Sequence, residues 1–91
     1  MKTAKEILEM TRKESKLAKA CDKFIERHAS YVEAIAMEGH RSARINLKEI
    51  DNEIRYYFSY EEIEEMLSYK LEQLGYVTIY NEYNKTVDIQ W

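Results

Sequence analysis

The sequence contains no proline and only two glycines, Gly39 and Gly75, among its 91 residues. Because these two residue types interrupt helices and strands most strongly, their scarcity argues against long loops and flexible linkers. The single cysteine excludes an intramolecular disulfide framework and is typical of a reducing compartment. No apolar run approaches the ~20 residues that a membrane-spanning helix needs. We therefore expect one small domain with short connections and no membrane partner.

Charge is divided unevenly between the two halves of the chain. Residues 1–48 carry a net charge of +4 and residues 49–91 a net charge of −7, which together give −3. The two halves are therefore expected to attract one another, either within the fold or between subunits. Proteins that bind DNA are usually basic overall, so this balance argues against direct DNA binding.

A long helix is predicted over residues 3–39. Thr3 and Glu6 have the spacing of a capping box, and Gly39 suits the left-handed position that closes a helix. Between them, the side chains of one face recur at intervals of three and four: Ala18, Cys21, Ile25, His28, Val32 and Ile35. The segment from Arg12 to Lys16 is almost wholly polar. A break near Lys13–Ser15 is therefore the alternative to the continuous helix that we favour.

The remainder of the chain predicts an α+β fold. Ala43, Ile45 and Leu47 alternate with polar residues, as in a strand with one buried face. Ser59 and Glu62 have the spacing of a second capping box. The predicted elements are a strand over 42–47, a short helical segment over 49–58, a helix over 60–74 and a β-hairpin over 76–91. We expect a small three-stranded sheet packed on helices.

The length of the first helix predicts an assembly. About 35 helical residues span roughly 52 Å, whereas a compact domain of this size is only about 30 Å across. A continuous helix would therefore extend beyond its own domain and pack on another molecule. We expect a homo-oligomer whose helix contacts include five residues: Ile7, Leu8, Thr11, Leu17 and Phe24.

Catalytic and metal-binding patterns are weak. Cys21 and His28 are seven residues apart on one helix face, and His40 lies beyond the helix end. This spacing supplies neither the converging ligands of a metal site nor a Cys/His nucleophile pair. We expect a protein that is not an enzyme and that holds no metal or cofactor.

Two groups of residues are candidates for binding. The first is an acidic cluster at the start of the second helix, which is either a solvated face or a surface that mimics nucleic-acid phosphates: Glu61, Glu62, Glu64 and Glu65. The second is a group of aromatic and basic residues, which suits either a protein interface or a pocket that stacks a nucleobase: Tyr56, Tyr57, Tyr60, Tyr80, Tyr83, Arg41, Arg44 and Arg55.

Four short segments carry a resemblance to a class of known proteins: Thr3 to Glu6, Ala34 to Gly39, Leu71 to Val77, and Ile89 to Trp91. In this order the chain resembles small phage-encoded α+β accessory proteins of mostly unassigned function. The resemblance implies a viral origin, a location in the host cytoplasm and an accessory role, and it assigns no site residues.

The leading hypothesis is a phage accessory protein that inhibits a host anti-phage defence system by binding a host protein. The acidic helix face and the exposed tyrosines would form the contact. The alternatives are an oligomer that sequesters a signalling nucleotide of host immunity, and a virion or scaffold component.

Overall fold

The computed structural model describes all 91 residues and has the expected α+β architecture, a three-stranded sheet packed on helices with a hairpin at the end. The elements in chain order are α1 (Ala4–Glu14), α2 (Lys16–Met37), β1 (Ser42–Asn46), a 3-10 turn (Leu47–Glu49), α3 (Asn52–Tyr57), α4 (Tyr60–Gln73), β2 (Val77–Asn81) and β3 (Thr86–Gln90).

The helix predicted over residues 3–39 is in fact two helices, so the prediction of a continuous helix is wrong and the alternative, a break near Lys13–Ser15, is confirmed. Ser15 has extended backbone angles, with φ −67° and ψ 161°. Its hydroxyl accepts a hydrogen bond of 3.1 Å from the N–H of Ala18 and so caps α2. The polar residues around Ser15 provide no apolar packing that would hold a continuous helix across this point.

The other predicted helix signals are confirmed. Thr3 and Glu6 form the reciprocal bonds of a capping box at the start of α1, and Ser59 and Glu62 do so at the start of α4. Gly39 and Gly75 have φ values of 96° and 93°, a region that L-residues with a Cβ rarely adopt. Each glycine follows a helix and turns the chain towards a strand.

The three strands form one antiparallel sheet in the order β1-β3-β2. Ala43 and Ile45 of β1 lie opposite Ile89 and Val87 of the central strand. These four side chains are buried, and they point to the inner face of the sheet, which α2 and α4 cover. The alternation that predicted β1 therefore identifies its buried face correctly.

The hydrophobic core contains buried residues from every element except α1 and β2, and the half-buried Tyr80 of β2 packs against it. Leu17 and Phe24 are only 7% and 1% exposed, because they pack inside this core. The prediction that both residues contact another molecule is therefore wrong. Ile7 and Leu8 of α1 are 49% and 48% exposed, so they contribute little to the core.

Candidate functional site

The acidic residues at the start of α4 do not form one free surface. Glu62 belongs to the capping box, and the half-buried Glu64 accepts a hydrogen bond of 2.7 Å from the Ser68 hydroxyl. Glu61 forms an ion pair of 3.6 Å with Lys85. Glu65 is exposed and lines, with Glu62 and Arg12, a groove of about 180 Å³ between α1 and α4. Three of the four carboxylates therefore have a local partner, and Glu65 has none.

The predicted tyrosines separate into buried and exposed groups. Tyr60 and Tyr80 are half-buried and pack against the core, so only part of each side chain is accessible. Burial also raises the pKa of Tyr80 above its usual value. Tyr83, in the turn between β2 and β3, is 94% exposed and lies on a different element from Tyr56 and Tyr57.

The three predicted arginines lie on different segments of the chain, and only Arg55 shares an element with Tyr56 and Tyr57. Arg44 pairs with Asp88 across the sheet, with 2.8 Å between Nε and Oδ1, and this hydrogen bond raises its pKa. Arg55 lies on α3 and donates to the carbonyl oxygen of Ile50 at 3.3 Å. Arg41 precedes β1. The predicted pocket of tyrosines and arginines is therefore not assembled within the chain.

Four basic side chains of α2 do lie together. Lys16, Lys19, Lys23 and Arg27 follow one another at intervals of three, four and four, which places them on one side of the helix. They line a groove of about 530 Å³ between α2 and the segment that contains α3. The opposite wall consists of Ile50, Asp51, Glu53 and Ile54, and Ala20 and Phe24 of α2 also line the groove.

The charges of this groove are only partly neutralised. Lys16 forms an ion pair with Glu53, and their hydrogen bond raises the pKa of Lys16. Arg27 donates to the carbonyl oxygen of Glu49 at 3.0 Å, which leaves its charge unpaired by a carboxylate. Lys19 and Lys23 are exposed and form no ion pair. The groove therefore presents free positive charge on a protein whose net charge is negative.

An exposed tyrosine pair adjoins the basic groove. Tyr56 and Tyr57 are 82% and 64% exposed, and their ring centroids lie 5.0 Å apart in an edge-to-face arrangement. The Lys16 ammonium lies 5.4 Å from the centroid of the Tyr57 ring, which joins the pair to the groove. We call the six residues together the α2–α3 surface: Lys16, Lys19, Lys23, Arg27, Tyr56 and Tyr57.

Sequence reasoning identified only the two tyrosines of the α2–α3 surface. The signal for its four basic residues was their spacing along α2, which predicts a common face of the helix. The sequence pattern did not show that α3 packs beside this face and turns it into one wall of a groove. The groove is therefore a feature of the tertiary structure.

The remaining candidates are structural. Cys21 is fully buried, and burial raises its pKa to about 12. His28 lies with Nδ1 2.8 Å from the carbonyl oxygen of Phe24 and Nε2 3.3 Å from Glu49 Oε2. No group of three or more His, Cys, Asp or Glu side chains is placed to hold a metal ion. None of the helices has both the length and the apolar character needed to cross a bilayer.

Comparison with known proteins identifies no relative: no family model, no curated protein and no solved structure matches this chain significantly. What the chain binds is therefore inferred from its own surface.

Proposed function

We propose that this chain is a non-enzymatic protein-binding module and that the α2–α3 surface is its contact. The observation that carries this proposal is the position of the exposed Tyr56–Tyr57 pair at the Lys16 end of a basic row in which Lys19 and Lys23 form no ion pair. Tyrosine and arginine are enriched where proteins bind one another, because they combine large apolar area with polar groups that need partners.

The chemistry of the α2–α3 surface selects an acidic partner. From Lys16 to Arg27 the basic side chains extend over roughly 16 Å of helix. A row of cations of this length steers an acidic protein surface during approach and disfavours basic ones. The tyrosines then supply apolar area at one end of the row.

The narrower proposal is that the partner belongs to a host anti-phage defence system. It is supported by the resemblance of the sequence to phage accessory proteins. The acidic residues of α4 remain the competing contact, because Glu61 and Glu65 are both exposed and would instead engage a basic groove.

A charge-reversal experiment distinguishes the two surfaces. The chain is expressed in bacterial strains that each carry one defence system, and the plating efficiency of a sensitive phage is measured. We expect the wild-type chain to restore plating in at least one strain and the double variant Lys19→Glu/Lys23→Glu to lose at least about tenfold of that effect, since it reverses two charges of the contact. The matched control, Glu61→Lys/Glu65→Lys, should retain the effect.

Each other outcome removes part of the proposal. Loss of the effect in the α4 control alone would transfer the contact to the acidic residues. Retention in both variants would contradict an electrostatic contact at either surface. Failure of the wild-type chain to restore plating in any strain would contradict the role in defence. Circular dichroism of the purified variants checks that both are folded.

A second candidate function is nucleotide sequestration. The groove volume of about 530 Å³ lies within the range of small-molecule sites, and its cations adjoin an aromatic ring that could stack a base. Isothermal calorimetry with cyclic and linear nucleotides tests this function. Heat that disappears in Lys19→Glu/Lys23→Glu would favour nucleotide binding, and absence of heat with every nucleotide would exclude it for those tested.

A further inference from the structure

Strand β2 is a free edge of the sheet, and its backbone groups can be assigned to a side. Two hydrogen bonds join the ends of β1 and β3: Trp91 donates to Arg41 at 3.1 Å, and Leu47 donates to Lys85 at 2.9 Å. The odd-numbered residues of β3 therefore bond to β1, and because bonding alternates along an antiparallel strand, its even-numbered residues bond to β2.

The consequence for β2 follows from its register. Val77 and Ile79 lie opposite Gln90 and Asp88, so their N–H and C=O groups point towards β3. Those of Thr78 and Tyr80 consequently point away from the sheet. Two residues of β2 thus present backbone donors and acceptors that no other strand of the chain bonds.

The outer face of the sheet is apolar only on this edge strand. Val77 and Ile79 are 57% and 51% exposed there. The neighbouring positions on β1 and β3 that share this face are all polar or charged: Ser42, Arg44, Asn46, Thr86, Asp88 and Gln90. Residues 77–81 also contain no proline, no charge and no bulge, which are the usual features that prevent an edge strand from pairing.

We propose that β2 pairs with β2 of a second copy of this chain, antiparallel and centred on Ile79, to form a continuous six-stranded sheet. In this register Thr78 of each copy exchanges backbone hydrogen bonds with Tyr80 of the other, which satisfies all four outward groups of each strand. The two Ile79 residues then form the closely spaced pair that carries no hydrogen bonds.

A second copy fits this edge because the strand is complementary to itself. In this arrangement the two copies are related by a two-fold axis perpendicular to the sheet, so their outer faces lie on the same side. Each Val77 then lies diagonal to Ile79 of the other copy, and the exposed apolar side chains meet. Val77 lies opposite Asn81, and Glu82 lies opposite Tyr76, so no pair sets like charges against one another. Such an interface closes on itself and yields a dimer rather than a filament.

Cysteine cross-linking tests both the interface and its register. In Ile79→Cys the two introduced thiols are directly opposite, so mild oxidation should yield a disulfide-linked dimer. The matched control is Val77→Cys on the same face, where the two thiols are separated by about four residues, or roughly 13 Å, along the strands. This distance is too great for a disulfide. Native Cys21 is fully buried and should not contribute.

A charge pair tests the same contact without a covalent bond. We expect the wild-type chain to have the mass of a dimer by light scattering at tens of micromolar, and Ile79→Lys to have the mass of a monomer, because it places two like charges opposite each other. An equimolar mixture of Ile79→Lys and Ile79→Glu should recover the dimer. The inference is overturned by a monomeric wild-type chain, by a dimeric Ile79→Lys, or by equal cross-linking of the two cysteine variants.

Discussion

At the residue scale, burial controls the chemistry of Cys21. Its thiol lies in the core, with Sγ 4.0 Å from the carbonyl oxygen of Ile63. Burial raises the pKa of this thiol, and the nearby ion pair of Lys70 and Asp22 adds smaller effects of opposite sign. The neutral form is therefore strongly favoured in the folded chain, whereas a reactive cysteine needs an accessible thiolate.

This residue should make the stability of the fold depend on alkaline pH. The pKa of the Cys21 thiol is about 12 in the folded chain, whereas its ordinary value, taken for the unfolded chain, is 9.0. Because the folded pKa is the higher one, its contribution to stability is complete below pH 9 and is lost as the pH rises towards 12. We expect the free energy of unfolding to decrease more steeply with pH in the wild type than in Cys21→Ala. The difference between the two slopes should reach about 1.4 kcal/mol per pH unit.

The measurement is urea denaturation of both proteins at pH 8, 9, 10 and 11. Because the variant retains every tyrosine and lysine that titrates in this range, the difference between the two curves isolates Cys21. Curves that remain parallel from pH 8 to pH 11 would contradict a buried neutral thiol.

At the scale of elements, Ser15 separates a peripheral helix from a buried one. No residue of α1 is buried, whereas Leu17, Ala18, Cys21 and Phe24 of α2 are. The helix break thus coincides with the point where the chain enters the core. Ser15 therefore caps the first helix of the chain that contributes to the core.

Replacement of Ser15 by alanine should therefore destabilise the fold. Ser15→Ala removes the bond to the N–H of Ala18, and we expect the free energy of unfolding to fall by about 1 kcal/mol. The control is Ser30→Ala, at an exposed position inside α2, where alanine should be neutral or stabilise by a few tenths of a kcal/mol. Urea denaturation of both variants is the measurement. Equal or greater stability of Ser15→Ala would show that a continuous helix is at least as favourable as the capped break.

At the scale of the whole molecule, the sequence predicted what local chemistry determines. The capping boxes at Thr3 and Ser59 depend on residues three positions apart, and both form. The strand alternation depends on a period of two, and it identifies Ala43 and Ile45 correctly as buried. With no proline and only two glycines, the chain has little sequence left for loops. The order of these helices and strands therefore gives the fold class.

The contacts between elements were not predicted, because they depend on which surfaces pack together in the folded chain. An apolar stripe on a helix does not show whether its partner is the same chain or another, so Leu17 and Phe24 were assigned to the wrong contact. The packing of Tyr60 and Tyr80 on the core and the docking of α3 beside α2 are likewise decided by tertiary structure. The α2–α3 surface therefore emerges only when the chain is folded.

A pair of leucines tests this division of the molecule into a core and a peripheral helix. Leu67 of α4 is fully buried, and Leu8 of α1 is 48% exposed. We expect Leu67→Ala to lower the free energy of unfolding by about 2–5 kcal/mol, because it removes apolar contacts and leaves a cavity. Leu8→Ala, the same chemical change, should lower it by less than about 1 kcal/mol, since much of this side chain is already in contact with water. Urea denaturation at neutral pH measures both values. A loss at Leu8 that matches the loss at Leu67 would mean that α1 packs in solution on a surface outside the single chain. A free energy of unfolding that rises with protein concentration would identify that surface as a second copy.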